Sequence, residues 1–318
     1  MKVKKGLTVS SFLIISFLLM GYVVENPYKA QDGKKRTVSK VVKASSSKIG
    51  FITMKQPLPT RGIDQIDPFL LLHHHGPHEV QPNNPGLPFG PHPHRGFETV
   101  TFIFKGDVKH KDSNGFESVI KSGGVQWMTA GKGIVHSERS SEAFKRDGGP
   151  LELIQVWVNL PAKMKMSEPS YQGLQKKDIP SIVSKDGKTT INLVSGSWGD
   201  KTVPQRGLHP IDFVSVEMKE GGVLKREVDR EKNILFYIQE GSLEVNGTKA
   251  SAHQMVVFEN DGELLEVAAT SDCRFILGAS KPIGEPVASQ GPFVMNSEEE
   301  LKQAIVDYHE GKMGVLEE

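Results

Sequence analysis

The sequence predicts an all-β protein built as two stacked β-barrels with a short C-terminal helix. Three observations carry this. Short β-branched runs are separated by recurrent Gly (32) and Pro (19), and helical periodicity is scarce. The second half echoes the first: Phe102-Ile103-Phe104-Lys105-Gly106, a strand and Asn114-Gly115 return as Phe236-Tyr237-Ile238-Gln239-Glu240-Gly241, Leu243 to Val245 and Asn246-Gly247. A capping box at Ser297–Glu300, with Leu301, Ala304, Ile305 and Tyr308 on one face, marks a final helix that Gly311 ends and that packs against the outside of a barrel.

The 318 residues divide as a leader or membrane anchor (1–24), a polar tether (25–47), a metal-binding N-terminal barrel (48–165) and a metal-free C-terminal barrel with the terminal helix (166–318). The net charge of +1 gives no electrostatic case for nucleic acid or an anionic surface. The single cysteine, Cys273, excludes an intramolecular disulfide and thiolate-rich metal sites, and reads as a packed core residue.

Taken in order, Lys2, Lys4 and Lys5 precede the uncharged stretch Leu7 to Val24, the pattern of a secretory signal. The stretch is also about as long as an uncleaved anchor, which needs roughly 17–25 apolar residues. With the basic end held inside, the remainder is expected to be exported, and membrane contact comes only through this segment if it is uncleaved. Glu25 to Ser47 is polar and reads as a tether. Strands begin after Lys48. Asp67 to Leu72 runs into His73-His74-His75, which cannot share one face of a strand. The run reads as surface or core edge, with His75 or His78 at the mouth of the site as the weaker alternative. Gln81 to Gly90 is a loop that delivers Phe89. Phe97 to Phe104, Val108 to Lys111, Phe116 to Ile120 and Val125 to Thr129 form a meander with a hairpin at Asp112–Gly115. Leu151 to Leu160 is a further strand, and Pro161 to Pro180 reads as a connection between lobes.

The chemistry concentrates between Gly90 and Glu138. His92 and His94 are spaced i, i+2, and so are His136 and Glu138. In a strand this spacing points each pair to one face. Two such pairs on neighbouring strands would surround one point with three imidazoles and a carboxylate, a set suited to a divalent first-row metal such as iron, copper, manganese, nickel or zinc. Glu98, at i+4 from His94, is expected behind the site, bonded to Arg95 or to a ligand imidazole. Phe89, Trp127 and Met128 are candidates for an apolar mouth, although Trp127 and Met128 alternate, so at most one faces inward. The repeat locates what the second barrel lacks. His92, His94 and Glu98 precede Gly106 by 14, 12 and 8 residues, and the same offsets before Gly241 give Glu227, Asp229 and Asn233. Leu265 and Val267 stand where the second pair would recur.

These residues resemble the pirin family, two-domain members of the cupin superfamily. The resemblance rests on Asp67 to Leu72, on His92-Pro93-His94-Arg95-Gly96-Phe97-Glu98-Thr99-Val100, on Val125 to Gly131 through His136-Ser137-Glu138, and on Gly291 to Asn296 with the helix after it. It covers about Lys48 to Gly314. It implies two cupin-type barrels, with one metal, usually iron, in the N-terminal one on His92, His94, His136 and Glu138. Some members resemble quercetinases, which open a flavonol ring with O2 and release carbon monoxide; others are described as binding transcription factors. This sequence departs from the pattern in its export signal, which argues against a transcriptional role, and in its histidine-rich run at His73. The expectation is therefore a metal-dependent dioxygenase of small flavonol-like aromatics, with Glu138 as ligand and proton acceptor. The alternative is an exported non-catalytic metal-binding or redox-sensing protein acting through an unidentified protein partner. A metal-dependent isomerase is a third, weaker option.

Overall fold

The computed structural model describes residues 33–317. The expected leader (1–24) and the first part of the expected tether lie outside the described residues.

The chain forms two lobes, each a large sheet facing a small one. In the first lobe the large sheet runs Ser170–Leu174, Val125–Thr129, Phe97–Lys105, Gly149–Asn159, Phe69–Val80, Ile52–Leu58, Ser45–Ile49. The small sheet runs Phe89–His94, Ile134–Arg139, Asp107–Asp112, Glu117–Lys121. Alternation decides what each face buries. Along Phe97–Lys105, Thr101 and Ile103 point between the two sheets, whereas Val100 and Phe102 point to the other lobe. Ile52, Leu87, Ile103, Val108 and Leu153 fill one end of the space between the sheets.

The second lobe repeats this order. Gln254–Phe258, Asn233–Glu240, Cys273–Ser280 and Asp212–Met218 occupy the places of Val125–Thr129, Phe97–Lys105, Gly149–Asn159 and Phe69–Val80. Its small sheet runs Val223–Glu227, Leu264–Ala269, Ser242–Val245, Thr248–Ser251. Leu265 and Val267 are each 1% exposed and pack with Leu224 and Phe236, so hydrocarbon fills the space that corresponds to the histidines of the first lobe. Cys273 lies in the same core.

The expectation of closed barrels is corrected. The large and small sheets are separate ladders, which makes each lobe an open sandwich of the cupin type. The chain passes between sheets at glycine corners, Gly96 (φ +88°) and Gly106 (φ +81°), where extended pairing stops. A Cβ on Gly96 would collide with the carbonyl of Val294, so this corner is also a point of close backbone approach.

The two large sheets pack face to face. Phe69, Phe102 and Trp127 meet Phe213, Tyr237 and Met255 in one continuous apolar layer. Burial of each such large side chain contributes on the order of 1.5–3 kcal/mol, so the lobes hold each other firmly.

Both ends of the chain cross over. Val38–Lys43 pairs antiparallel with Gln254–Phe258 of the second lobe. Arg36 is 1% exposed and donates to the carbonyls of Gly262, Lys232 and Asp229 and to Asn260 Oδ1. The expected tether is thus ordered strand from Val38 onward. Its polar composition hid an edge strand that is half exposed. The terminal helix, Glu298–His309, has its capping box on Ser297 and Glu300 as expected, but it docks on the first lobe, where Leu301 and Ala304 pack with Val135 and Met313. Ser170–Leu174 also pairs into the first lobe, so the lobes part between Leu174 and Ser181 rather than at residue 165. A short helix, Glu142–Asp147, capped by Ser141, had no counterpart in the sequence reading.

Candidate metal centre

Phe89–His94 and Ile134–Arg139 pair antiparallel, with His136 opposite His92 and Ile134 opposite His94. This register brings the three imidazoles together. One ring nitrogen from each of His92, His94 and His136 lies within 4.8 Å of the others. Ring centroids are 4.4 Å apart for His92–His136, 4.8 Å for His92–His94 and 5.0 Å for His94–His136.

Two of the three tautomers are fixed. A carbonyl can only accept, so His92 Nδ1 donates to Gly90 O at 2.7 Å and His94 Nδ1 to Pro292 O at 3.3 Å. Each ring keeps its Nε2 lone pair for a ligand. Burial, reinforced by the neighbouring His92 ring, pushes His94 down to about 3. Burial, with the His94, His92 and His110 rings, holds His136 well below the usual histidine range. Neutral imidazole is the form that binds metal. His136 is 1% exposed, and both of its ring nitrogens are buried with no hydrogen-bond partner among the described residues. An unsatisfied buried nitrogen costs roughly 1–3 kcal/mol. A cation between the three rings would remove one such deficit, so the donor set fits a divalent metal.

Glu138 does not join this group of donor atoms. Its Oε1 accepts from Gln126 Nε2 and, at 3.3 Å, from Thr101 Oγ1; its Oε2 accepts from Gln155 Nε2 at 2.7 Å. The pairing irregularity here lies on the Phe89–His94 side, since Ile134–Arg139 keeps a regular register with Asp107–Asp112; His136 and Glu138 keep their alternation, and it is the amides of Gln126 and Gln155 that hold the carboxylate. Glu138 nevertheless borders the same cavity, of about 280 Å³, as His92 and His94. Phe89 and Trp157 wall it, and Pro292 of the C-terminal segment also lines it.

Several expected positions are corrected. Trp127 is 1% exposed, belongs to the layer between the lobes and donates to Glu98 Oε2 at 3.2 Å. Met128 packs with Ala130 and Ile134. Neither lines the cavity; the tryptophan that does is Trp157, whose ring lies 5.2 Å from that of His94. Glu98 also faces the other lobe; Thr129 Oγ1 of the neighbouring strand (2.7 Å) and Leu208 N of the second lobe (3.0 Å) donate to it, and burial raises its pKa. The i+4 argument failed because the corner at Gly96 resets the alternation between His94 and Glu98. Arg95 bonds neither Glu98 nor an imidazole. It donates to Lys132 O at 2.6 Å and to Asp307 Oδ2 at 2.8 Å, tying the terminal helix down beside the site. In the histidine run, His73 and His75 border the cavity, whereas His74 points the other way, to Glu152 Oε1 (3.1 Å) and Tyr237 OH (3.0 Å). His78 is away from the cavity and receives Thr53 N.

The family model described as Pirin matches residues 51–158, and the one described as Pirin C-terminal cupin domain matches residues 213–314. The chain belongs to the pirin family. A pirin-like protein of Caulobacter vibrioides is 38% identical over 87% of this chain and 99% of its own length. Pirin-1 of Arabidopsis thaliana is 39% identical over 71% of this chain and 78% of its own. Among solved structures, a quercetin 2,3-dioxygenase from Acinetobacter baumannii matches with a TM-score of 0.85 and 31% identity, covering 89% of this chain and all of that one.

Sequence reasoning missed the surroundings of this pirin's centre. Gln126 and Gln155 hold Glu138, and the alternation along Val125–Thr129 and Gly149–Asn159 could have placed them. His110 is fully buried, bonds Asp112 Oδ2 at 2.8 Å and stacks on Tyr171 at 3.9 Å, behind His136. Its period-two spacing from Asp112 was visible but carried no family motif.

Proposed function

We propose that this pirin is a metal-dependent dioxygenase acting on a planar flavonol-type phenol. His92, His94 and His136 would hold one divalent metal, with iron the first choice and Glu138 as the fourth donor. The observation that carries the reading is the convergence of three imidazoles, one with no hydrogen-bond partner among the described residues, beside an aromatic-walled cavity. The Acinetobacter structure named as a quercetin 2,3-dioxygenase supports the substrate class. When bound, the metal lowers the pKa of a coordinated hydroxyl and offers open positions to substrate and oxygen.

The chain's own residues supply the rest. Phe89 and Trp157 hold a flat ring and exclude water from it. Glu138 takes the proton of the substrate hydroxyl, and Gln155 and Gln126 fix the carboxylate for that task. Proton transfer by a placed carboxylate is worth about 10²–10⁴-fold. Three hydrogen bonds leave a lone pair on Glu138 Oε2, which would serve a bound cation while Gln126 and Gln155 keep the carboxylate in place. The three hydrogen bonds that already hold Glu138 favour a second reading, a metal-binding sensor without turnover. Anaerobic loading with ferrous iron, followed by oxygen uptake with quercetin, separates the two: uptake with carbon monoxide release is expected, and bound iron without uptake across several flavonols would favour the sensor. Glu138→Gln is expected to keep its metal and lose about 10²–10⁴ in rate; ring opening at the wild-type rate would remove Glu138 from the mechanism.

A further inference from the structure

The histidine run contributes a feature that the metal reading leaves unused. Phe69–Val80 places His73 and His75 on the cavity side, with His75 opposite Leu153 and His73 opposite Gln155 on the neighbouring strand. His73 is satisfied, with its Nε2 3.1 Å from Gln56 Oε1. His75 differs. It is 5% exposed, borders the cavity, and its Nδ1 is buried with no hydrogen-bond partner among the described residues. Its ring meets that of Phe89 edge to face at 5.2 Å and that of His73 at 5.9 Å, so packing fixes its plane. A histidine set in the wall of a cavity with a ring nitrogen unpaired costs stability unless a partner completes it.

We infer that His75 is a specificity-determining residue, whose imidazole hydrogen-bonds a hydroxyl of a planar phenolic ligand at a point separate from the metal ligands. This rests on the flavonol reading and sharpens it to aromatics carrying a second, non-chelating hydroxyl. The chemistry suits a neutral partner. Burial, with His73 and His74 nearby, pushes His75 down to about 3, so it offers one N–H and one lone pair rather than a charge. A phenol can use either, since its hydroxyl both donates and accepts. The edge-to-face contact with Phe89 leaves the aromatic wall intact whether or not the hydrogen bond forms.

The test is a binding measurement on metal-loaded full-length protein under anaerobic conditions, read by quenching of tryptophan fluorescence. The probes are quercetin and flavonols that each lack one hydroxyl outside the chelating pair. The variants are His75→Phe, which keeps a ring against Phe89, and His73→Phe as control, with metal content measured for each. For His75→Phe, metal content should be unchanged and quercetin should bind roughly tenfold more weakly. One of the analogues should bind wild type and His75→Phe equally, because its missing hydroxyl is the one His75 contacts. Equal weakening for every analogue, or none, overturns the role of His75 while leaving the flavonol reading in place. Absence of any flavonol binding by metal-loaded wild type overturns both. Should His75→Phe fail to fold, His75→Leu, which also removes both ring nitrogens, serves instead, with the same supporting and overturning results.

Discussion

His136 illustrates how a single side chain can be costly in one state and necessary in another. Its ring is buried, and neither nitrogen has a hydrogen-bond partner among the described residues. Replacement by leucine removes that deficit and leaves hydrocarbon, as Leu265 does in the corresponding strand of the second lobe. His136→Leu is therefore expected to be at least as stable as the wild type when both are stripped of metal, and to lose the rise in Tm that metal gives the wild type. Thermal denaturation with and without ferrous iron checks both halves; a metal-dependent rise that survives in the variant would remove His136 from the ligand set. The histidine pairs were legible because i, i+2 spacing survives on any straight strand. Glu98 was not, since it lies just past the Gly96 corner, and the partners of Glu138 were not, since Thr101, Gln126 and Gln155 come from other strands. Spacing in the sequence counts residues and does not register where the backbone turns.

At the level of elements, the C-terminal segment completes the centre. Val294 N donates to Arg95 O at 3.0 Å, Pro292 O accepts from His94 Nδ1, and Arg95 holds Asp307 of the helix. The Lys312 ammonium and the Arg95 guanidinium keep the Asp307 carboxyl well below the usual carboxylate range. The sign follows from linkage. A depressed acid stabilises the native state fully above its ordinary value of 3.8 and loses that contribution as pH falls below it. The helix is expected to loosen in acid before the sandwich does. Arg95→Met should give the same loosening at neutral pH, because Asp307 is left with Gln303 of its own helix and the half-exposed Lys312, and nothing ties it to the first lobe. The expected cost lies toward the lower end of the roughly 3–5 kcal/mol seen when a buried pair loses one partner. Faster amide exchange across Glu298–His309 and weaker metal binding, by about tenfold through the lost support of His94, are the readouts. Unchanged exchange would show that apolar packing of Leu301 and Ala304 suffices. The capping box made this helix legible, but its docking site was not, because Arg95 and Asp307 lie 212 residues apart.

For the whole molecule, the repeat was legible because both lobes keep the same turn residues, and the offsets to Gly106 and Gly241 located the missing ligands. The crossing of the chain ends was hidden, since each end pairs with a partner distant in sequence. Lys165 sits where these crossings meet the site. Its Nζ donates to Gly96 O at 2.8 Å, Asn159 Oδ1 at 2.6 Å and Val294 O at 3.1 Å, which joins the glycine corner, the large sheet and the C-terminal segment. Three acceptors favour the ammonium, but burial outweighs them and brings Lys165 down from 10.5 to about 8. Below the folded value both native and unfolded chains carry the proton, and the cost of burying the charge is felt in full. Between pH 8 and 10.5 the native state releases its proton first, so the unfolded chain binds more protons and stability rises with pH. The slope can approach about 1.4 kcal/mol per pH unit in the middle of that window. Lys165→Met is expected to be less stable at pH 7, with three acceptors left without a donor, and to lack this rise. The measurement is the urea midpoint of both proteins at pH 7.5 and 9.5, which cancels the titration of every other group. Parallel pH dependence in the two proteins would mean that Lys165 stays charged in its buried site, held by Gly96, Asn159 and Val294 against the cost of desolvation.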